Sequence, residues 1–159
     1  MEQKLSNPLS TAVAKRYSNV LETVRDALKY GRKALAFQPV IQAGAPQNIL
    51  FCKGLIRISD PAGRHIPARD FIAEVENNEL GRLIDCATLQ LGLATLAEQP
   101  DVRLSVKMSA QSIGYPKWVR TLEEGLQRSP NLATNLILEM TENSVMAAPE
   151  VARYFMNDM

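Results

Sequence analysis

Apolar residues recur along this chain in two rhythms. Val13, Tyr17, Val20, Leu21, Val24, Ala27 and Leu28 fall three and four apart, which predicts a helix over 11–33 with Gly31 as its stop signal. The run ALAFQPVIQ at 34–42 reads as a strand, and Pro39 within it marks an edge or a bulge, because proline cannot donate to a ladder. AGAPQN at 43–48 is turn chemistry, and ILFCKGLIRI at 49–58 is a second strand, close enough to the first for an antiparallel hairpin. The rhythm then changes. ARDFIAEVENNEL (68–80) and RLIDCATLQLGLATLAEQ (82–99) are helical, and VRLSVKMS (102–109) is a strand. PKWVRTLEEGLQRS (116–129) is a helix with a proline at its start, where a missing amide costs nothing. NLILEMTE (135–142) is a strand, and APEVARYFMNDM (148–159) enters another helix. A hairpin followed by helix, strand, helix, strand, helix predicts an α/β domain whose later strands run parallel with helical crossovers. Residues 1–33 are expected to lead into the domain and 34–159 to form its body.

Composition narrows the classes. With 159 residues, 46% apolar and 22% charged, the chain can bury one real core. A net charge of +1 provides no global field toward nucleic acid or an anionic membrane, and no basic stripe with interleaved aromatics is present. No apolar run reaches the length of a membrane span, and MEQKLSNPLSTAVAKRYSN lacks the apolar centre of a signal peptide. A cytoplasmic location is therefore expected. Cys52 and Cys86 are not in a CxxC spacing and read as two buried, reduced thiols. The single histidine, His65, lies in a turn-like segment with no second histidine to share a metal.

Strand alternation brings in the chemistry. In the second strand Cys52, Gly54, Ile56 and Ile58 share one face, opposite Lys53, Leu55 and Arg57. Farther on, Leu104, Val106 and Met108 oppose Ser105, Lys107 and Ser109, and Leu136, Leu138 and Met140 oppose Ile137, Glu139 and Thr141. If these strands are neighbours in a barrel, Lys53, Arg57, Lys107 and Glu139 converge at one end of it, where barrel sites are built. Two readings compete. One is a buried ion-pair network in which Glu139 serves one or both lysines, with little net stability. The other is a ligand site, favoured by the excess of three cations over one carboxylate, which suits an anion.

At these residues the chain resembles the EAL domain family of cyclic di-GMP phosphodiesterases and their inactive relatives. The resemblance rests on RDALKYGRKALAFQPVI, on KGLIR with its following DP turn, and on GRHIPARDFIAEVE, LSVKMSAQSI and LILEMTEN, in family order over roughly 25–159. It implies a modified TIM-type barrel whose first strand runs antiparallel to the rest, of which this chain holds the N-terminal part. It implies a reaction in which Mg²⁺ or Mn²⁺ assists attack of water on a phosphodiester. Carried over by position, Lys53 stands where the family has a metal-binding glutamate, with Gly54 and Leu55 completing the signature triplet. Lys107 stands where the family has an asparagine ligand. Glu139 keeps a ligand glutamate, Arg57 keeps a phosphate-contacting arginine, and Gln38 matches a glutamine close to a guanine base. The family's remaining groups would follow Met159, and RYFMNDM stops inside a helix, so a fragment or a shortened gene is expected.

Two ammonium groups in place of two oxygen ligands repel a divalent cation. The expectation is a catalytically inactive signalling module with no metal cofactor, acting by ligand binding or protein contact. Cyclic di-GMP is the candidate ligand at Gln38, Leu55 and Arg57, and a partner signalling domain and a second copy of the chain are candidate partners. The substitutions read either as lysines standing in for the metal charge, with Arg57 as an exposed phosphate hook, or as drift at a site no longer selected. The alternative function is a fragment of a multidomain phosphodiesterase with residual metal-dependent hydrolysis.

Overall fold

The computed structural model describes residues 8–158, and their side chains from Ser18 onward. Helix α1 (Pro8–Lys29) ends four residues before the expected limit, because Gly31 takes a positive φ of 69° and turns the chain into β1 (Lys33–Gln42). Residues 1–7 of the expected leading segment lie outside the described residues. β2 (Ala45–Ser59) pairs antiparallel with β1, from Lys33 opposite Ile58 to Val40 opposite Phe51. The turn is tighter than AGAPQN suggested. Ala43 and Gly44, the latter at φ 79°, reverse the chain between them, and 45–48 join the strand. The expected hairpin is present, with Pro39 on an edge strand.

The segment around His65 is not only a turn. β3 (His65–Pro67) adds a short antiparallel strand to β2. It is delivered by a loop in which the Asp60 carboxylate accepts from the backbone N–H groups of Ala62 and Arg64. The helical expectation over 68–80 is met in pieces, by a 3-10 turn at Ala68–Asp70 and the short α2 (Ile72–Val75), and α3 (Glu79–Glu98) starts afresh. Asn78 caps it, its side-chain oxygen accepting from Leu80 N–H at 2.9 Å, so the chain can stop one helix and start another. β4 (Leu104–Met108), α4 (Pro116–Arg128), the unexpected short α5 (Leu132–Asn135), β5 (Leu136–Met140), the equally unexpected α6 (Glu142–Ala147) and α7 (Pro149–Asp158) complete the order.

The sheet runs β1-β2-β4-β5, with β2–β4 and β4–β5 parallel, as the crossover pattern predicts. Helices cover one face of it. Ile56, Ile58, Leu104, Val106 and Met108 are buried there against Val24 and Ala27 of α1, Ile84, Leu89, Leu93 and Leu96 of α3, and Trp118 of α4. Burying each such side chain contributes about 1.5–3 kcal/mol. Two glycines set the spacing of the layers. A Cβ at Gly92 would meet Val106 Cγ1 at 2.6 Å, and one at Gly125 would meet Leu93 Cδ1 at 2.6 Å, so α3 seats closely on β4 and α4 closely on α3. Phe155 of α7 meets the Trp118 ring edge-on, with centroids 5.9 Å apart. Both cysteines are free. Cys86 is buried as expected, and burial pushes its thiol up to about 11. Cys52 is only half-buried, since it sits where the hairpin begins to extend past the first residue of β4.

Candidate functional site

The face of the sheet opposite the helices carries the polar strand residues. Pairing places Gln38 of β1 across from Lys53 of β2, Lys53 beside Ser105 of β4, and Ser105 beside Ile137 of β5. Cross-strand partners share a face, so these four form one row. Two residues farther along, Lys107 and Glu139 form the next pair, each one residue from the C-terminal end of its strand. Glu139 is therefore two strands away from Lys53 and one row ahead. The Lys53 ammonium nonetheless donates to Glu139 Oε2 at 3.0 Å. It crosses β4 at Ser105, whose short side chain leaves room and whose hydroxyl also donates to Glu139. Ser105 is 2% exposed, while the side chains of Lys53 and Glu139 are 38% and 28% exposed. Burial pulls the Glu139 carboxyl upward, but the bonds from Ser105 and Lys53 and the charges of Lys53 and Lys107 outweigh it. The group is held below its ordinary value.

Of the expected site residues, the structure gathers Gln38, Lys53, Lys107 and Glu139. Lys107 is exposed and acts on Glu139 through its charge, so the carboxylate bonds one lysine and not both. Leu55 lies two residues beyond Lys53 on the same face, half-buried, opposite Ala36. Arg57 does not join the cluster. It lies four residues along β2, roughly 13 Å away at strand rise. Nor is it an exposed hook. It is half-buried, and one guanidinium nitrogen donates to the carbonyls of Ile56 at 3.0 Å and Leu55 at 3.4 Å. An arginine this close to its own strand finds those carbonyls locally, and its remaining donors stay available.

One residue behind the site had no motif to announce it. Asp85 of α3 is buried, and its Oδ2 accepts from Ser109 N–H at 2.8 Å and from the Ser112 hydroxyl at 2.7 Å. Ala110 N–H donates in turn to the Ser144 hydroxyl of α6. These bonds clamp the segment that leaves β4 just after Lys107. Burial raises the Asp85 carboxyl above its ordinary value, against the bonds from Ser109 and Ser112. Its signal in the sequence is a lone carboxylate inside the apolar run LIDCATL.

A model of the EAL domain family matches residues 21–159, and the chain belongs to that family. Solved structures agree in fold. The EAL domain of FimX from Xanthomonas citri, in complex with c-diGMP, aligns with TM-score 0.78 at 22% identity, covering 92% of this chain and 58% of that one. The FimX EAL domain from Pseudomonas aeruginosa bound to c-di-GMP gives 0.70 at 23%, covering 86% and 56%. The PaMucR phosphodiesterase in its c-di-GMP complex gives 0.61 at 25%, covering 83% and 55%. The chain thus spans a little over half the length of these relatives, and its sheet is the corresponding part of a TIM-barrel-like fold. No curated protein matches the sequence. No helix among the described residues is long and apolar enough to cross a membrane.

The divalent ion that the family uses does not fit these residues. Glu139 already holds an ammonium group at 3.0 Å, and a second lysine stands beside it in register. Among the described residues, no three His, Cys, Asp or Glu side chains gather as a metal-ligand set. A divalent cation would have to displace Lys53 and approach Lys107.

Proposed function

We propose that this chain is a catalytically inactive EAL module that works by binding cyclic di-GMP without a metal ion. The observation that carries this is the 3.0 Å bond from Lys53 Nζ to Glu139 Oε2. It occupies the retained ligand carboxylate with a side chain that cannot donate a lone pair. Lys53, Lys107 and Arg57 can polarise a phosphoryl oxygen, but an ammonium or guanidinium group does not generate the hydroxide-like nucleophile that a bound metal does. What remains suits recognition of an anion. Lys107 is exposed, Lys53 is shared with one carboxylate, and Arg57 keeps free guanidinium donors that match a phosphate's geometry. Gln38 extends the same row toward the edge strand and offers both a donor and an acceptor to a base. The relatives solved with c-di-GMP support this choice of ligand.

The test is calorimetric titration of the chain with cyclic di-GMP, with EDTA and with Mn²⁺, alongside chromatography for the linear product. Binding that is equal in both buffers, weakened by Arg57→Ala and free of turnover is expected. Turnover that tracks with the protein, or binding abolished by EDTA, would refute the reading.

A further inference from the structure

A second site lies on the other side of the sheet. A cavity of about 370 Å³ opens between α1, the start of β1, α3 and α4. Pockets that hold small organic ligands begin near this size, at about 300 Å³. Its walls carry four cations, Arg25 and Lys29 from α1, Lys33 from β1 and Lys117 from α4. The apolar side chains Leu28, Leu80, Leu83 and Ala87 share its lining with Gln90 and Thr121. Lys33 pairs with Ile58, whose side chain is in the helix-covered core, so it projects to the helix side, away from Lys53 and Glu139.

No carboxylate lines this cavity. The six ion pairs among the described residues use Lys53, Arg64, Arg69, Arg82, Arg128 and Arg153, and none of the four cavity cations. Lys29 has a contact of its own, over the Tyr30 ring at 5.2 Å, and its place in the last turn of α1 suits the helix dipole. Lys117 has the opposite setting. It stands in the first turn of α4, where the helix end is itself positive, with no acidic residue in that turn and no side-chain cap. The charge of Glu79 is felt there, but that carboxylate is already committed to Arg82 at 2.6 Å and to the Tyr115 hydroxyl. A chain of net charge +1 has gathered four positive groups and three leucines around one cavity whose lining holds no carboxylate.

We propose that this cavity binds a small organic phosphate, with its phosphates among Arg25, Lys29, Lys33 and Lys117 and its carbon body against Leu28, Leu80 and Leu83. The ligand is a nucleotide-sized molecule with at least two negative charges and an apolar or aromatic part. Inorganic phosphate alone would satisfy the cations and leave the leucines uncovered. The site is separate from the one on the open face of the sheet and stands whether or not that face binds cyclic di-GMP.

The probe is ATP in EDTA-containing buffer, followed by calorimetry and by methyl NMR of the leucines, with pyrophosphate as the comparison. Saturable one-to-one binding of ATP is expected, about tenfold or more tighter than pyrophosphate, with methyl shifts at Leu28, Leu80 and Leu83. Lys33→Ala with Lys117→Ala should weaken ATP by about tenfold or more, and Arg57→Ala should leave it unchanged. Lys117 is exposed and Lys33 half-exposed, so the double variant keeps its core, and an unchanged unfolding curve verifies it. Lack of saturable binding, binding that survives the double variant, or loss on Arg57→Ala would overturn the proposal.

Discussion

Removing the Lys53 ammonium is the most direct probe of how the open face is held. At 3.0 Å, in surroundings of effective dielectric near 20, the gross attraction between Lys53 and Glu139 is roughly 5 kcal/mol. Both side chains keep about a third of their surface in water, and ordering two long chains across a strand costs entropy, so most of that is offset. A net coupling of about 1 kcal/mol is expected, to be read as a double-mutant cycle of Lys53→Met and Glu139→Gln by urea unfolding at neutral pH. The pair also has a pH signature. The Glu139 carboxyl is held below its ordinary 4.5, so its contribution is fully present above that value and fades as pH falls through the lower folded-state value. Lys53→Met should therefore cost stability at neutral pH and progressively less in acid. A coupling within about 0.3 kcal/mol of zero, together with an unchanged pH profile, would show that the bond is incidental.

Three further outcomes follow from other parts of the molecule. Lys53→Glu should create a carboxylate pair beside Ser105 and strengthen Mn²⁺ binding by about tenfold or more over the parent, measured by paramagnetic relaxation; equal affinities would mean that Lys53 does not keep the metal out. Asp85→Ala should cost about 2 kcal/mol, because the buried Ser112 hydroxyl loses its partner, whereas Asp85→Asn can still accept those bonds. Asp85 has a raised folded-state value, so its contribution is full in acid and lost as pH rises through that value, and Asp85→Asn should gain on the parent toward neutral pH; urea unfolding at two pH values decides this. Finally, β5 has no strand on its outer side among the described residues and its side chains are only half-buried, so a second copy is expected to cover it or α7, giving a dimer by light scattering; a stable monomer refutes this.

Alternation was a sound guide where one face of a strand is dry. It sorted Gly54, Ile56 and Ile58 from Lys53, Leu55 and Arg57 as the structure does, because a one-residue slip would have put the cations in the core. It also offered Glu139 as the partner of Lys53, of Lys107 or of both, since it is the one carboxylate among those strand charges, and the structure bonds it to Lys53. It could not say that Lys53 would reach over Ser105 while Lys107, nearer in register, would stay in water. That choice depends on side-chain reach and not on spacing. The short helices α5 and α6 and the strand β3 escaped because too few residues show a period. The clamp at Asp85 and the basic cavity escaped for another reason. Each joins residues from elements far apart in the chain, and only packing brings them to one place.

Trp118 is the chain's one tryptophan, 1% exposed, with its indole N–H unpaired and Phe155 set against its edge. The molecule thus carries a single internal fluorophore at the joint between α4 and α7. Its emission should be blue and narrow while that joint is closed, because no water reaches the ring. Release of α7 alone would strip away the phenyl ring and admit solvent to one edge while the strands stay paired. A red shift that comes before the loss of strand signal would then report the C-terminal helix as a separately melting unit, without any label being added.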